Sequence, residues 1–488
     1  MKRNNPLNTL ILVSVVFLFT SCKVQKDVLN TTIQLPKEFK QHSDLQAIDS
    51  VKGTAQAPEQ WRTFFTDPVL VQLIDSALVN NQDMQIAFQK MQRARAGVQF
   101  TKGIRLPELG LNLGSGIRRF GDYTIDGVGN YDTQFSPNLN NKQQLPNPVP
   151  DFYAGVYSTW EIDIWGKLKA KKRAALNRFL EEEQGKNLVI TNLIAEVAER
   201  YYSLILLDRK REIIAENIRL QENALEVIGL QKDIGKSNQL AIELISAQVL
   251  DAKTLQVEVD QEILEQESAL NFLLGRYPQS ISRSVFQNVQ EPTKSKAYGV
   301  PGDLLDNRPD ILAAAYRLKA SNADVKAAKV AFYPTLTLNA NIGYQAFRAA
   351  FLFESPASIA YNVAGGLVTP LLNRRTLKAD LMAGKASQQE AYLNYEKTIL
   401  QAFTEVYQLL LLDENFHIRK QVKQEQVELL GQSIETSRTL FTTGRAGYLE
   451  IITSQEKYLK SQMELLEIYR LTNKNNLHLY KSLGGGWR

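Results

Sequence analysis

At 488 residues with 44% apolar side chains, the chain is long enough for more than one ordinary domain and for a substantial core. Its 57 basic and 52 acidic residues leave a formal net charge of +5 with no concentrated basic stripe, which excludes nucleic acid as a partner. A single cysteine, Cys22, rules out disulfides and thiolate metal sites in the body that follows, so cohesion must come from packing or self-association.

The chain opens with Lys2 and Arg3 before an apolar run from Leu10 to Phe19 that is too short to cross a bilayer. Residues 1–21 are therefore expected to be a secretory signal peptide. Thr20-Ser21-Cys22 resembles the lipobox of bacterial lipoproteins, with Phe19 where Leu is usual, and this implies acylation of Cys22. Residues 22–60 would then be a lipidated extended linker; the other reading of Cys22 is an incidental residue of an ordinary cleaved signal. No later segment reaches the ~18 consecutive apolar residues of a transmembrane helix. Membrane entry, if any, has to be as a β-barrel.

Leu109, Leu111, Leu113 and Ile117 alternate with Gly110, Asn112, Gly114 and Gly116, a period of two that predicts a strand over about 108–117. A partner strand is predicted over about 152–163, after a Gly-, Asn- and Pro-rich loop. The alternation alone fits a soluble half-buried sheet as well as a membrane barrel. From 151 to 277 there is no proline, and the residues are good helix formers. Long helices are predicted over about 167–274. Ile190, Leu193, Val197, Tyr201 and Leu204, then Ile242, Ile245, Val249, Ala252, Val259, Ile263 and Leu270, recur at three- and four-residue steps as a coiled-coil-like seam, with Gln256 in one slot. A helix from Lys171 to Ile234 would run about 96 Å, too long for a compact globule.

After a linker over 279–303, the order repeats. Leu336, Leu338, Ala340, Ile342 and Tyr344 alternate with Thr337, Asn339, Asn341 and Gly343, predicting strands over about 335–344 and 359–368. A second proline-free block predicts long helices over about 373–482. Two repeats follow, 61–278 and 304–488. Glu243 to Gln248 matches Glu450 to Gln455 at an offset of 207, Leu274-Gly275 matches Leu483-Gly484 at 209, and Pro107 matches Pro334 at 227. Four strands cannot close a barrel, for which about eight are the minimum. Three copies would give twelve.

Three motifs carry a resemblance to the TolC-like outer-membrane factors, particularly their lipoprotein branch. They are Thr159 to Lys167, which includes Trp160 and Gly166, the Arg308-Pro309-Asp310 repeat start, and the hairpin tip from Phe441 to Gln455. The resemblance implies a mixed α/β membrane protein: a homotrimer whose twelve-stranded β-barrel continues into a periplasmic α-helical barrel. It further implies passive export of small molecules such as drugs, with a periplasmic adaptor and an inner-membrane RND-type transporter as partners, outer-membrane lipid around the barrel, and no cofactor or metal. The alternatives are a protein-secretion channel and a lipid-anchored periplasmic scaffold.

Gly235 and Gly444 interrupt helical pattern where a tight turn needs positive backbone angles. By resemblance these tips, with Tyr448 and Leu449, touch the adaptor, and Glu450 faces the lumen as one member of a carboxylate ring. An ordinary solvated glutamate fits Glu450 equally well, and its first-repeat equivalent is either Ala241 or Glu243. Arg308, Pro309 and Asp310 read as a helix start, with Asp310 capping or complementing the dipole. Trp160 and Trp165 read as interface or packing aromatics. Gly235-Lys236-Ser237 is not a phosphate loop, because Leu230 stands where that motif needs glycine. His42, His417 and His478 are widely separated and form no recognisable catalytic motif, so the chain is not expected to be an enzyme.

Overall fold

The computed structural model describes residues 60–235, 237–286, 302, 304–369 and 374–487. The predicted signal, Cys22, the first predicted linker up to residue 59, and residues 287–301 and 303 of the second lie outside the described residues. Eleven principal elements follow one another: α1 (Pro68–Asn80), α2 (Gln82–Gly103), β1 (Glu108–Arg118), β2 (Val149–Ile162), α3 (Lys167–Asp233), α4 (Gln239–Leu273), α5 (Pro309–Val330), β3 (Thr335–Ala346), β4 (Ile359–Val368), α6 (Arg374–Thr442) and α7 (Tyr448–Ser482).

The repeat is visible in lengths as well as order. α3 and α6 have 67 and 69 residues, and α4 and α7 have 35 each. At 1.5 Å per residue the longer helices run about 100 Å. The two helices that precede the strand pairs, α2 and α5, each have 22 residues.

The four strands make one antiparallel meander in the order β1-β2-β3-β4. Its register decides what each face is. Leu111 pairs with Val156, Val156 with Ile342, and Ile342 with Tyr361, so these apolar side chains share one face. One residue along, Asn112 pairs with Gly155, Gly155 with Gly343, and Ala360 follows, giving a small and polar opposite face. The apolar face is bare: Leu109, Leu111, Leu113 and Ile117 are 70–72% exposed, and Tyr361 and Val363 are 77% and 70% exposed. Gly155 and Gly343 bring their backbones so close that a Cβ on either would lie about 2.5–2.8 Å from backbone atoms of the other strand.

Below the sheet the main core gathers around the middle of α3. Leu193, Ile194, Val197, Ala198 and Tyr201 pack with Trp61, Phe64, Phe65, Leu70 and Ile74 of the segment leading through α1, and with Leu270, Leu273 and Tyr480 of the returning helices. Polar contacts fix these pieces. Asp67 caps α1 by accepting from the Val69 amide at 2.9 Å, and its other oxygen accepts from the buried Tyr201 hydroxyl at 2.7 Å. The Tyr201 oxygen accepts in turn from the Ser284 amide at 3.1 Å. Arg283 bridges α3 and α4 through Asp208 and Glu267.

Each return helix ends at a left-handed glycine, Gly275 (φ 66°) and Gly484 (φ 91°). The Arg276 amide donates to Asn271 and the Gly485 amide to Tyr480, the 6→1 bond of a Schellman ending. At the equivalent place in the two repeats, Asn81 donates to the Leu273 carbonyl and Arg308 to the Ser482 carbonyl.

Candidate functional site

Two regions hold the expected functional residues: the junction below the sheet and the tips of the helical hairpins. At the junction Gly166, with φ 77°, precedes the first turn of α3, where Asp163 accepts from the Leu168 and Lys169 amides at 3.0 and 2.7 Å. The Trp160 indole donates to the Arg105 carbonyl at 3.0 Å, and that of Trp165 donates to the Pro334 carbonyl at 2.8 Å while stacking on Tyr333. Both indoles thus tie strand ends together.

Arg308, Pro309 and Asp310 begin α5, with Pro309 at the first helical position, where a missing N–H costs nothing. Asp310 holds the very next amide instead of one further along the first turn. It accepts from the Ile311 amide and holds the Arg308 guanidinium at 2.8 and 3.1 Å. Arg308 is 9% exposed and also reaches Glu405 on α6 at 2.8 Å. Burial opposes its charge, but these carboxylates outweigh that and raise its pKa above the usual value for arginine. The triplet therefore joins three elements, a role that the sequence motif alone did not reveal.

At the tips, Gly235 (φ 68°) and Gly444 (φ 69°) close the α3–α4 and α6–α7 turns. Space around both is open, so backbone conformation, not crowding, calls for glycine there. Asn238 caps α4 by accepting from the Ala241 amide at 3.0 Å, whereas Gly447 starts α7 without a side-chain cap. The two tips share a cleft of about 1090 Å³ lined on one side by Leu220, Val227 and Leu240 and on the other by Arg438, Tyr448 and Glu450. Tyr448 is half-buried against Ile228, Ile245 and Ile452, its ring edge-to-face with Phe441 at 5.6 Å. Burial pushes its phenol up to about 12, against an opposing pull from Arg438. Leu449 is 63% exposed, and Glu450 is exposed in the first turn of α7.

Helix geometry resolves which residue corresponds to Glu450. α4 and α7 begin at Gln239 and Tyr448 and end at Leu273 and Ser482, an offset of 209 at both ends. Glu450 therefore corresponds to Ala241, and the Glu243-to-Gln248 match at 207 lies two residues out of structural register. Glu243 instead accepts from Gln239 on its own helix.

A sheet apolar on one face and polar on the other, continued by hairpins of about 100 Å, is the TolC-like channel architecture. The chain belongs to the outer membrane efflux protein family, whose model matches residues 73–276 and 300–485. It is accordingly an outer-membrane efflux channel extending into the periplasm, not an enzyme. The cation efflux system protein CusC of Escherichia coli O6:H1 is 27% identical over 481 residues, covering 97% of this chain and 98% of CusC. A probable outer membrane lipoprotein of Salmonella typhimurium, SilC, is 26% identical over 482 residues, 98% of each chain. The pyoverdine export outer membrane protein OpmQ of Pseudomonas aeruginosa is 26% identical over 488 residues, 99% of this chain and 98% of OpmQ. A solved CusC structure superposes with a TM-score of 0.80 at 25% identity, over 95% of this chain and 100% of that one.

Proposed function

We propose that three copies of the chain form the exit duct of a tripartite efflux pump, passing small molecules such as drugs from the periplasm to the outside. The observation that carries this reading is the open sheet. One chain supplies four strands with an apolar and a polar face, and β1 and β4 each have a neighbour on one side only. Closing the edges with copies of the same chain puts the apolar face against lipid and the polar face around water.

The helices carry the same demand for partners. Leu250, Val257 and Leu264 recur every seven residues on α4 and are 59–69% exposed, and Leu393 and Leu400 on α6 are 54% and 66% exposed. These are heptad seams that no second helix covers among the described residues.

In this reading residues 1–21 are removed, Cys22 is acylated, 22–60 link the anchor to the wall, and the repeats 61–278 and 304–488 are joined by 279–303. An inner-membrane RND-type transporter supplies the energy, and a periplasmic adaptor meets the hairpin tips at Gly235, Gly444, Tyr448 and Leu449. Glu450 contributes one carboxylate per copy to a ring beside the cleft. Relatives described as exporting cations and pyoverdine support a cargo class broader than drugs. The test is Cys22→Ser, purified with and without detergent and sized by mass photometry. A detergent-dependent trimer is expected; a water-soluble monomer overturns the reading.

A further inference from the structure

Directly beneath the sheet, the first turns of α3 and the last turns of α5 enclose a groove of about 320 Å³. Its rim carries Lys169 and Arg173 from α3 and Lys319 and Lys326 from α5, with Asn322 between the latter two. Ala170 and Ala323, each 4% exposed and both lining residues, leave space between the charged chains. Four cations converge on one small concavity. Among the described residues none of the four forms an ion pair, and Lys319 alone has an aromatic neighbour, with Nζ 4.8 Å from the Tyr316 ring centroid. The nearby carboxylates are engaged elsewhere: Asp163 caps α3, and Asp324 pairs with Arg178. Unneutralised convergence of this kind costs self-repulsion, which an anion in the groove removes.

The groove has a definite side. Arg173, Asn187 and Ile194 lie at multiples of seven along α3 and so share one flank of a helix in coiled-coil packing. Ile194 is buried in the cluster that contains Trp61, Leu70 and Ile74. That N-terminal segment follows the residues leading from Cys22, so, given the duct proposed above, this flank faces outward, toward lipid and away from the lumen. The groove also has a definite depth. It begins at Gly166, next to Trp165, whose stacking on Tyr333 places two aromatic rings at the end of the apolar band. Lys169 lies about 5 Å further on at 1.5 Å per residue, within the headgroup layer that flanks the hydrocarbon core.

We propose that this groove binds the phosphodiester headgroup of an anionic phospholipid in the periplasmic leaflet of the outer membrane, with Lys169, Arg173, Lys319 and Lys326 as its ligands. Each chain would hold one such lipid between its two repeats, because α3 belongs to the first and α5 to the second. The inference rests on the duct reading, and a free phosphate would satisfy the same cations.

The test uses the detergent-solubilised full chain, delipidated and examined by native mass spectrometry. It is titrated with phosphatidylglycerol, with phosphatidylethanolamine of the same acyl chains, and with inorganic phosphate. The parent is expected to prefer phosphatidylglycerol at least fivefold, and K319Q/K326Q to abolish that preference, at roughly fivefold per cation removed. Should the double variant fail to assemble, R173Q, which alters one exposed side chain, is expected to weaken the preference several-fold. Equal binding of both lipids by an intact parent oligomer, or an undiminished preference in the variants, overturns the proposal and leaves the duct untouched. Displacement of phosphatidylglycerol by millimolar phosphate overturns the lipid assignment in favour of a free anion. A parent that is monomeric without detergent sinks the duct reading instead.

Discussion

The guanidinium of Arg308, at the start of α5, donates to the carbonyl of Ser482, at the end of α7, across 2.9 Å. Asn81 makes the corresponding bond to the Leu273 carbonyl at 3.0 Å. Each repeat is thereby latched where its last helix returns to its first. The second latch is the stronger chemically, because the same cation holds Asp310 and Glu405. Arg308→Ala leaves these carboxylates without their cation and an orphan carbonyl, and is expected to cost about 3–5 kcal/mol. Asn81→Ala removes two neutral bonds, the one to the Leu273 carbonyl and the cap that accepts from the Met84 amide at 3.1 Å, and is expected to cost about 2 kcal/mol. Thermal unfolding of the two variants in detergent measures the difference, and equal losses would argue against the latch.

Glycine is needed for different reasons at the two ends of each hairpin. A Cβ on Gly484 would sit 2.6 Å from the Asn307 carbonyl oxygen, whereas one on Gly444 meets nothing within 4 Å. Gly444→Ala should therefore cost only the positive-φ penalty, about 1–2 kcal/mol. Gly484→Ala should cost at least about 3 kcal/mol, because backbone must also move. Melting temperatures of the two variants in the same detergent decide whether crowding counts at Gly484.

Glu199 on α3 accepts from His478 at 3.3 Å and pairs with Lys474 at 2.8 Å, both on α7. The His478 hydrogen bond first, against burial and with help from Lys474, holds its carboxyl at about 2 instead of the usual 4.5. A depressed carboxylate stabilises the fold fully above the unfolded value and loses that contribution as pH falls through the folded one. The window is thus pH 4.5 down to 2. Parent and Glu199→Gln should differ by on the order of 2 kcal/mol at pH 6, after allowing for solvent screening, and converge by pH 2. A difference that does not change with pH would remove Glu199 from this role.

Glu450→Gln is expected to lower the cation preference of the proposed duct in planar bilayers, because it would neutralise the proposed carboxylate ring, for which Ala241 offers no second carboxylate. Reversal potentials in asymmetric potassium chloride measure this. Unchanged selectivity would make Glu450 an ordinary first-turn acid that complements the helix dipole.

Much of this molecule was legible in its local patterns. Alternation from Leu109 to Ile117 and the absence of proline between Pro150 and Pro278 fix strand and helix through constraints that act within a few residues. β1 runs over Glu108–Arg118, against an expected 108–117, and α3 starts at Lys167, the expected residue. Left-handed Gly235 and Gly444 were likewise visible, because only glycine takes that angle freely.

Long-range geometry was not legible, since no local term encodes it. Pairing of β2 with β3 joins the two repeats into one sheet, and its register, Gly155 against Gly343, gathers the apolar side chains of four separate segments onto one face. The residue match at 207 pointed to Glu243 and the one at 209 to Ala241, and only the helix ends, offset by 209 at both, chose between them. Arg308 read as a helix start because its partners Glu405 and Ser482 are 97 and 174 residues away. Convergence of Lys169 and Arg173 with Lys319 and Lys326 had no sequence signal either. The chain's own periodicities set which elements form; packing between elements far apart in sequence decided which side chains meet.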